Sequence, residues 1–351
     1  MPTLFDPITI GDITLKNRVV MAPLTRARAT GGGRVPNALM AKYYGQRATA
    51  GLILSEATAV TPQGVGYADT PGLWLDEQVE GWKKVTAAVH AKGGVIFAQL
   101  WHVGRISDPS FLNGDAPVSA SAIAAEGHVS LLRPQRPYPV PRALDTTELA
   151  GVVAAYKKAA ENAKQAGFDG VQIHGANGYL LDQFLQSKTN QRTDQYGGPV
   201  ENRARLMLEV TDAVIEVWGA DRVGMHLAPR RDSHDMGDAN PAETFGYVAR
   251  ELGKRKIAFI AAREAVGEDS LAPLIKKEFG GVFIANEKLD KVVAQDLLDS
   301  GKADAVAFGK DYISNPDLVE RLQADAPLNP WKAETFYGPS EEGYTDYPAL
   351  A

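Results

Sequence analysis

The stretch from Gly170 to Asp182 reads Gly-Val-Gln-Ile-His-Gly-Ala-Asn-Gly-Tyr-Leu-Leu-Asp. Its apolar run predicts a buried strand that ends at His174 and delivers His174, Asn177 and Tyr179 to the loop beyond. An imidazole and a carboxamide three residues apart can both donate hydrogen bonds to one oxygen, and a phenol close by can supply a proton. That set suits polarising a carbonyl or nitro group while protonating the neighbouring carbon. A single histidine after a strand can equally well be packing, so the reading turns on what stands at the other strand ends.

Apolar, β-rich runs recur near Val19–Ala22, Leu52–Ala57, Val95–Trp101, Gly170–His174, Val223–Leu227, Ile257–Ala261, Val282–Ala285 and Ala305–Phe308. Their continuous hydrophobicity fits parallel strands covered on both faces. Helical patterns separate them. One runs from Asp76 to Ala91, and another opens at Thr146-Thr147-Glu148. Asn240-Pro241 and Asn315-Pro316 read as starts with proline in the first turn. Eight such alternations predict a closed (β/α)8 barrel, with an open doubly wound sheet as the alternative. All of residues 1–351 are assigned to this one domain. Ile8–Leu15 predicts a hairpin capping the barrel bottom. Residues 103–145 form a long Pro-rich excursion after the third strand, of the kind that serves as a lid or binding loop.

Composition narrows the chemistry. The chain has no cysteine, which removes disulfides, thiolate nucleophiles and cysteine-held metals. Its histidines show no metal-ligand spacing, so no protein-bound metal is expected. A net charge of −6 argues against nucleic acid or an anionic membrane as partner. Neither a secretory leader nor a run of ~20 apolar residues is present, so a cytoplasmic enzyme is expected.

In such a barrel the C-terminal strand ends form the catalytic face. They carry Pro23, Leu24 and Thr25, then Ala57, then Gln99 and Trp101. Further round stand His226, Asn286, Gly309 and Lys310. The ring is rich in amides, hydroxyls and aromatics but poor in carboxylates and nucleophile–base pairs. It suits a planar, hydrogen-bonding cofactor better than direct hydrolysis. Lys310, with the Asn286 and Gly309 backbone, is placed where barrels often hold a phosphate.

These motifs are colinear with a known pattern: MAPLTR at 21–26, QLWHVGR at 99–105, HGANGYLLDQF at 174–184, RTDQYGG at 192–198, ENRARLMLEV at 201–210, NPDLVERL at 315–322 and GYTDYP at 343–348. Over essentially its full length the chain resembles the Old Yellow Enzyme family of FMN-dependent ene-reductases. HLAPR and DSHDMGD (232–238) make it most similar to the bacterial xenobiotic, nitroester and N-ethylmaleimide reductases.

The resemblance implies a non-covalent FMN over the barrel mouth, touching Pro23, Leu24, Thr25, Ala57 and Gln99. It implies two half-reactions at one site. Hydride enters from NADPH or NADH and leaves to the β-carbon of an enone, maleimide or nitroalkene. His174 and Asn177 hold the substrate oxygen, Tyr179 protonates the α-carbon, and Tyr67 and Trp101 wall the pocket. Nitro compounds and nitrate esters are further expected substrates, and the protein is expected to be a monomer or homodimer. Two positions depart from the family. His226 stands where an arginine usually faces the flavin, so a protonated His226, Arg230 or Arg231 would have to supply that charge. Arg263 is a further cation, expected to be solvated. Lys310 replaces the usual phosphate-binding arginine, keeping the charge without the bidentate fork. The rival readings are a flavin barrel acting on quinones or nitroesters and a metal-free lyase barrel.

Overall fold

The computed structural model describes residues 1–230 and 233–350. A hairpin of β1 (Ile8–Ile10) and β2 (Ile13–Leu15) precedes the barrel strands. These are β3 (Val19–Met21), β4 (Leu52–Ala59), β5 (Ile96–Trp101), β8 (Gly170–His174), β9 (Val223–Leu227), β10 (Phe259–Arg263), β11 (Val282–Asn286) and β12 (Ala305–Phe308). The missing pair, β6 (Val118–Ser119) and β7 (Arg142–Ala143), lies inside the 103–145 excursion. The barrel strands close in chain order, each parallel to its neighbours. Helices α1 (Ala38–Gln46), α2 (Asp76–His90), α3 (Leu149–Gln165), α4 (Leu180–Leu185), α5 (Val200–Arg203), α6 (Arg205–Trp218), α7 (Pro241–Arg255), α8 (Ala272–Phe279) and α9 (Lys291–Asp299) lie between them. After β12 come α10 (Lys310–Ser314) and α11 (Leu318–Gln323). The predicted (β/α)8 barrel is therefore the fold, with the capping hairpin and long third-strand excursion in place.

Because side chains alternate along a strand, each barrel strand sends every second residue inward. The lower interior is apolar: Val20, Leu52, Leu54, Phe97, Phe259, Ile284 and Ala305 pack on Ile10 and Leu15 of the hairpin. Here large residues meet glycines. A Cβ on Gly224 would lie 2.2 Å from Phe259, and one on Gly170 would lie 2.4 Å from Phe97. The same inward registers continue upward as Gln99 and Trp101, Gln172 and His174, His226, Ala261 and Arg263. The upper interior is thus polar, and this is the end that faces the loops.

Several strand ends differ from the sequence reading by one or two residues, and two departures have a clear physical cause. The sixth barrel strand starts at Phe259 rather than Ile257, because the left-handed Lys256 ends α7 and Ala258 N–H turns back onto the carbonyls of Ala220 and Val223. The strand consequently runs on to Arg263. Asn315-Pro316 opens no helix; α11 is entered from Asp317. Asn315 instead closes α10 and accepts the Asn329 N–H at 2.7 Å. Asn240-Pro241 behaves as read, with Asn240 Oδ1 accepting from Glu243 N–H.

Gly224→Ala should destabilise the protein by about 1–3 kcal/mol through overpacking against Phe259. Urea denaturation would show this, and an unchanged midpoint would mean the lower interior can yield.

Candidate active site

The polar end of the barrel opens into a cavity of about 560 Å³. It is lined by Pro23, Leu24, Thr25, Ala57, Gln99, Trp101, His174, Asn177, Tyr179, His226, Asn286, Gly309 and Lys310. Tyr67 lies in an adjoining hollow that shares Thr25 and Tyr179. The structure brings together every sequence-predicted site residue except Arg230, which is not in the cavity lining, and Arg231, which lies outside the described residues.

Strand irregularities and loop locks set these positions. A bulge at Ser55–Glu56 brings Ala57 into register with Gln99, and Ser55 Oγ accepts the Gln99 N–H at 3.0 Å. Buried Glu56 accepts from Tyr44 Oη and Arg26 N–H; burial raises its carboxyl to about 7 against these bonds. Asn177 has φ 57°, a left-handed conformation that asparagine tolerates well. Its carbonyl accepts from His234 Nδ1–H at 2.7 Å. Gln183 ties the excursion to this loop, its Nε2 donating to Val103 O and Gly178 O while its Oε1 accepts from Arg105 N–H and Ser119 Oγ.

Hydrogen bonding also fixes protonation. Ala176 N–H donates to His174 Nδ1 at 3.4 Å, leaving Nε2–H as the donor. Burial, with the neighbouring His226 and Arg263, holds His174 well below its ordinary pKa. Gln99 Nε2 donates to Gln172 Oε1 at 2.8 Å and to His226 Nδ1 at 3.3 Å. Burial and then Arg263 push the His226 pKa down to about 3. Both imidazoles are neutral, so His226 brings no positive charge to the site. Tyr179 Oη lies 2.9 Å from Tyr67 Oη, and burial raises its pKa above the usual phenol value. Trp101 stacks on Tyr67 and meets Tyr179 edge-on, with centroids 5.5 and 5.0 Å apart.

Of the candidate cations, Arg230 turns away to Glu264 and Asp269. Arg263, expected in solvent, lines the cavity because β10 is displaced two residues along the chain and keeps it in the inward register of Phe259 and Ala261. The sequence signal was that alternation, two residues past the expected strand end. Phe336 and Tyr337 of the tail also line the cavity, and no sequence period marks them. Three buried arginines hold the backbone of this tail: Arg26 donates to Phe336 O and Gly343 O, Arg28 to Thr335 O and Phe336 O, and Arg47 to Tyr344 O.

The donor set fits a flavin mononucleotide. Ala22, Ala57 and Ala307 keep the floor low. With both Nε2 hydrogens engaged, Gln99 is left with Oε1 to accept an imide N–H. Beside it, Gln172 Nε2 is a buried donor without a partner among the described residues. Gly309 and Lys310 offer backbone and positive charge at the rim.

Fold and site together define a flavin oxidoreductase barrel. The chain belongs to the NADH:flavin oxidoreductase / NADH oxidase family, whose model matches residues 3–329. It is 44% identical to a probable flavin mononucleotide-dependent alkene reductase of Leishmania infantum, across 99% of this chain and 97% of that one. It is 42% identical to 12-oxophytodienoate reductase 1 of Oryza sativa subsp. japonica, across 99% and 93%. Among solved structures, morphinone reductase in complex with tetrahydroNAD superposes with a TM-score of 0.96 at 48% identity, covering 100% of this chain and 98% of that one. The Old Yellow Enzyme homologue from Zymomonas mobilis gives 0.96 at 46%, covering 99% and 100%.

Because His226 has a folded-state pKa below its unfolded value, the unfolded chain binds the extra proton between about pH 3 and 6.5. Stability contributed by this group is therefore full above 6.5 and lost as pH falls. His226→Gln should make the fall of unfolding free energy with acidification shallower, by up to about 1.4 kcal/mol per pH unit. Urea titrations across that window measure it, and an unchanged slope would mean His226 protonates normally in the folded protein.

Proposed function

We propose that this protein is an FMN-dependent NAD(P)H ene-reductase in which His174, Asn177 and Tyr179 are the catalytic residues. The observation that carries this is their convergence on one cavity wall, with His174 fixed as a neutral Nε2–H donor and Tyr179 as a protonated phenol. When bound, FMN relays hydride from NADPH or NADH to the electron-poor carbon of the substrate.

The chain's own residues do the rest. His174 Nε2–H and Asn177 Nδ2–H hold the carbonyl or nitro oxygen and stabilise the charge that grows there as the β-carbon is reduced. One donor of this kind can be worth ~3 kcal/mol of transition-state stabilisation. Tyr179 gives its proton to the α-carbon. Its raised pKa keeps the phenol protonated at working pH, and Tyr67 is within hydrogen-bond reach of the oxygen left behind. Trp101 and Tyr67 form a flat aromatic wall beside a conjugated substrate. Pro23, Leu24, Thr25, Ala57 and Gln99 seat the ring system, while Asn286, Gly309 and Lys310 hold the phosphate end. Enones, maleimides and nitroalkenes are the substrate class, with nitro compounds and nitrate esters admitted because the same two donors suit a nitro oxygen.

Tyr179→Phe should slow the enone half-reaction by about 10²–10⁴-fold, the usual worth of a positioned acid. Reduction by NADPH needs no proton from this phenol and should change little. Stopped-flow absorbance with 2-cyclohexenone separates the steps. Reoxidation at the wild-type rate would assign the proton to another donor.

A further inference from the structure

We infer that Arg263 is a positioning residue for Asn177: its guanidinium fixes the carboxamide so that the amide nitrogen, not the oxygen, faces the substrate. This deepens the functional reading above and rests on its assignment of Asn177.

A carboxamide is nearly symmetric in outline, so packing alone chooses poorly between its two orientations. They are opposite in chemistry. With Nδ2 toward the cavity, Asn177 donates to an electron-rich oxygen; with Oδ1 there, it repels one. Arg263 Nη1 lies 3.5 Å from Asn177 Oδ1. A guanidinium can only donate, so the contact forms in one orientation and leaves Nδ2 for the ligand.

Arg263 is itself well placed for this. It stands at the inward-facing end of β10, its Nε donating to Glu287 Oε2 at 2.6 Å, which leaves Nη1 to reach across the barrel mouth. The next residue, Glu264, accepts from Leu271 N–H, Ala272 N–H and Ser270 Oγ, anchoring the strand end to α8. On the other side, His234 pins the Asn177 carbonyl. The asparagine is thus held at its backbone by one loop and at its side chain by another strand. Both His174 and His226 feel the positive charge of Arg263, which puts it at the catalytic end of the cavity rather than at the phosphate end.

The test is a double-mutant cycle on a bound oxyanion mimic. The affinity of 4-chlorophenol would be measured by charge-transfer absorbance and by calorimetry, using FMN-loaded wild type, Asn177→Ala, Arg263→Met and the double variant. FMN affinity is measured in parallel. Each single variant should weaken the phenol about tenfold while FMN stays bound as in wild type. The double variant should be no more than twofold weaker than Asn177→Ala alone, because Arg263 acts through Asn177. Arg263→Lys should recover part of the loss, and that recovery should vanish in the Asn177→Ala background. If Arg263→Met does not take up FMN, the lysine variant completes the cycle in its place. Losses that multiply in the double variant, or wild-type phenol affinity in the Arg263 variant, would overturn the inference while leaving the role of Asn177 intact. Wild-type affinity in Asn177→Ala would instead sink the reading of Asn177, and this inference with it.

Discussion

Everything in this protein depends on the two-residue period of eight strands closed on themselves. Closure divides each strand into residues that face the helices and residues that face the barrel axis. The axis-facing set is then graded from bottom to top. Low positions are leucine, valine, isoleucine and phenylalanine, stoppered by Ile10 and Leu15 of the hairpin. High positions are Gln99, Gln172, His174, His226 and Arg263. A close-packed apolar plug thereby supports a polar floor.

Burial governs the electrostatics of this floor more than charge does. Removal from water keeps His174 and His226 neutral and Tyr179 protonated. The site therefore presents N–H and O–H dipoles rather than ions where a substrate oxygen would sit. Such dipoles are already oriented by their own hydrogen bonds, so little reorganisation accompanies charge development. Of the cations, Arg263 stands beside Asn177 and Lys310 at the rim.

The strands, their order and most of the cavity residues were legible in the sequence because parallel strands buried on both faces are uninterrupted apolar runs, and the residues after them are unlike what precedes them. Arg263 was misjudged for a physical reason. Ile257 and Ala258 continue the apolar run backward but belong to the turn after α7, so the strand was framed two residues early and its last inward position was taken for loop. Asn315-Pro316 misled because the sequence of a helix start can also serve a helix end, and Asn315 bonds to Asn329 from far along the chain. Phe336 and Tyr337 were out of reach altogether. They arrive at the cavity through long-range bonds from Arg26 and Arg28 to backbone carbonyls, which no side-chain pattern records.

That clamp bears on how the protein is made. Arg26, Arg28 and Arg47 emerge from the ribosome early, among the first barrel units, yet the distant carbonyls they bind lie at 312–313 and 335–344 and emerge after the last barrel strand. Until then three guanidiniums that end up buried must remain hydrated or find other acceptors, and one side of the cavity is without its wall. Emergence of the last barrel strand and completion of the site are consequently separate events during synthesis. A nascent chain halted after β12 would own all its strands but lack the rim that turns an open barrel mouth into an enclosed pocket.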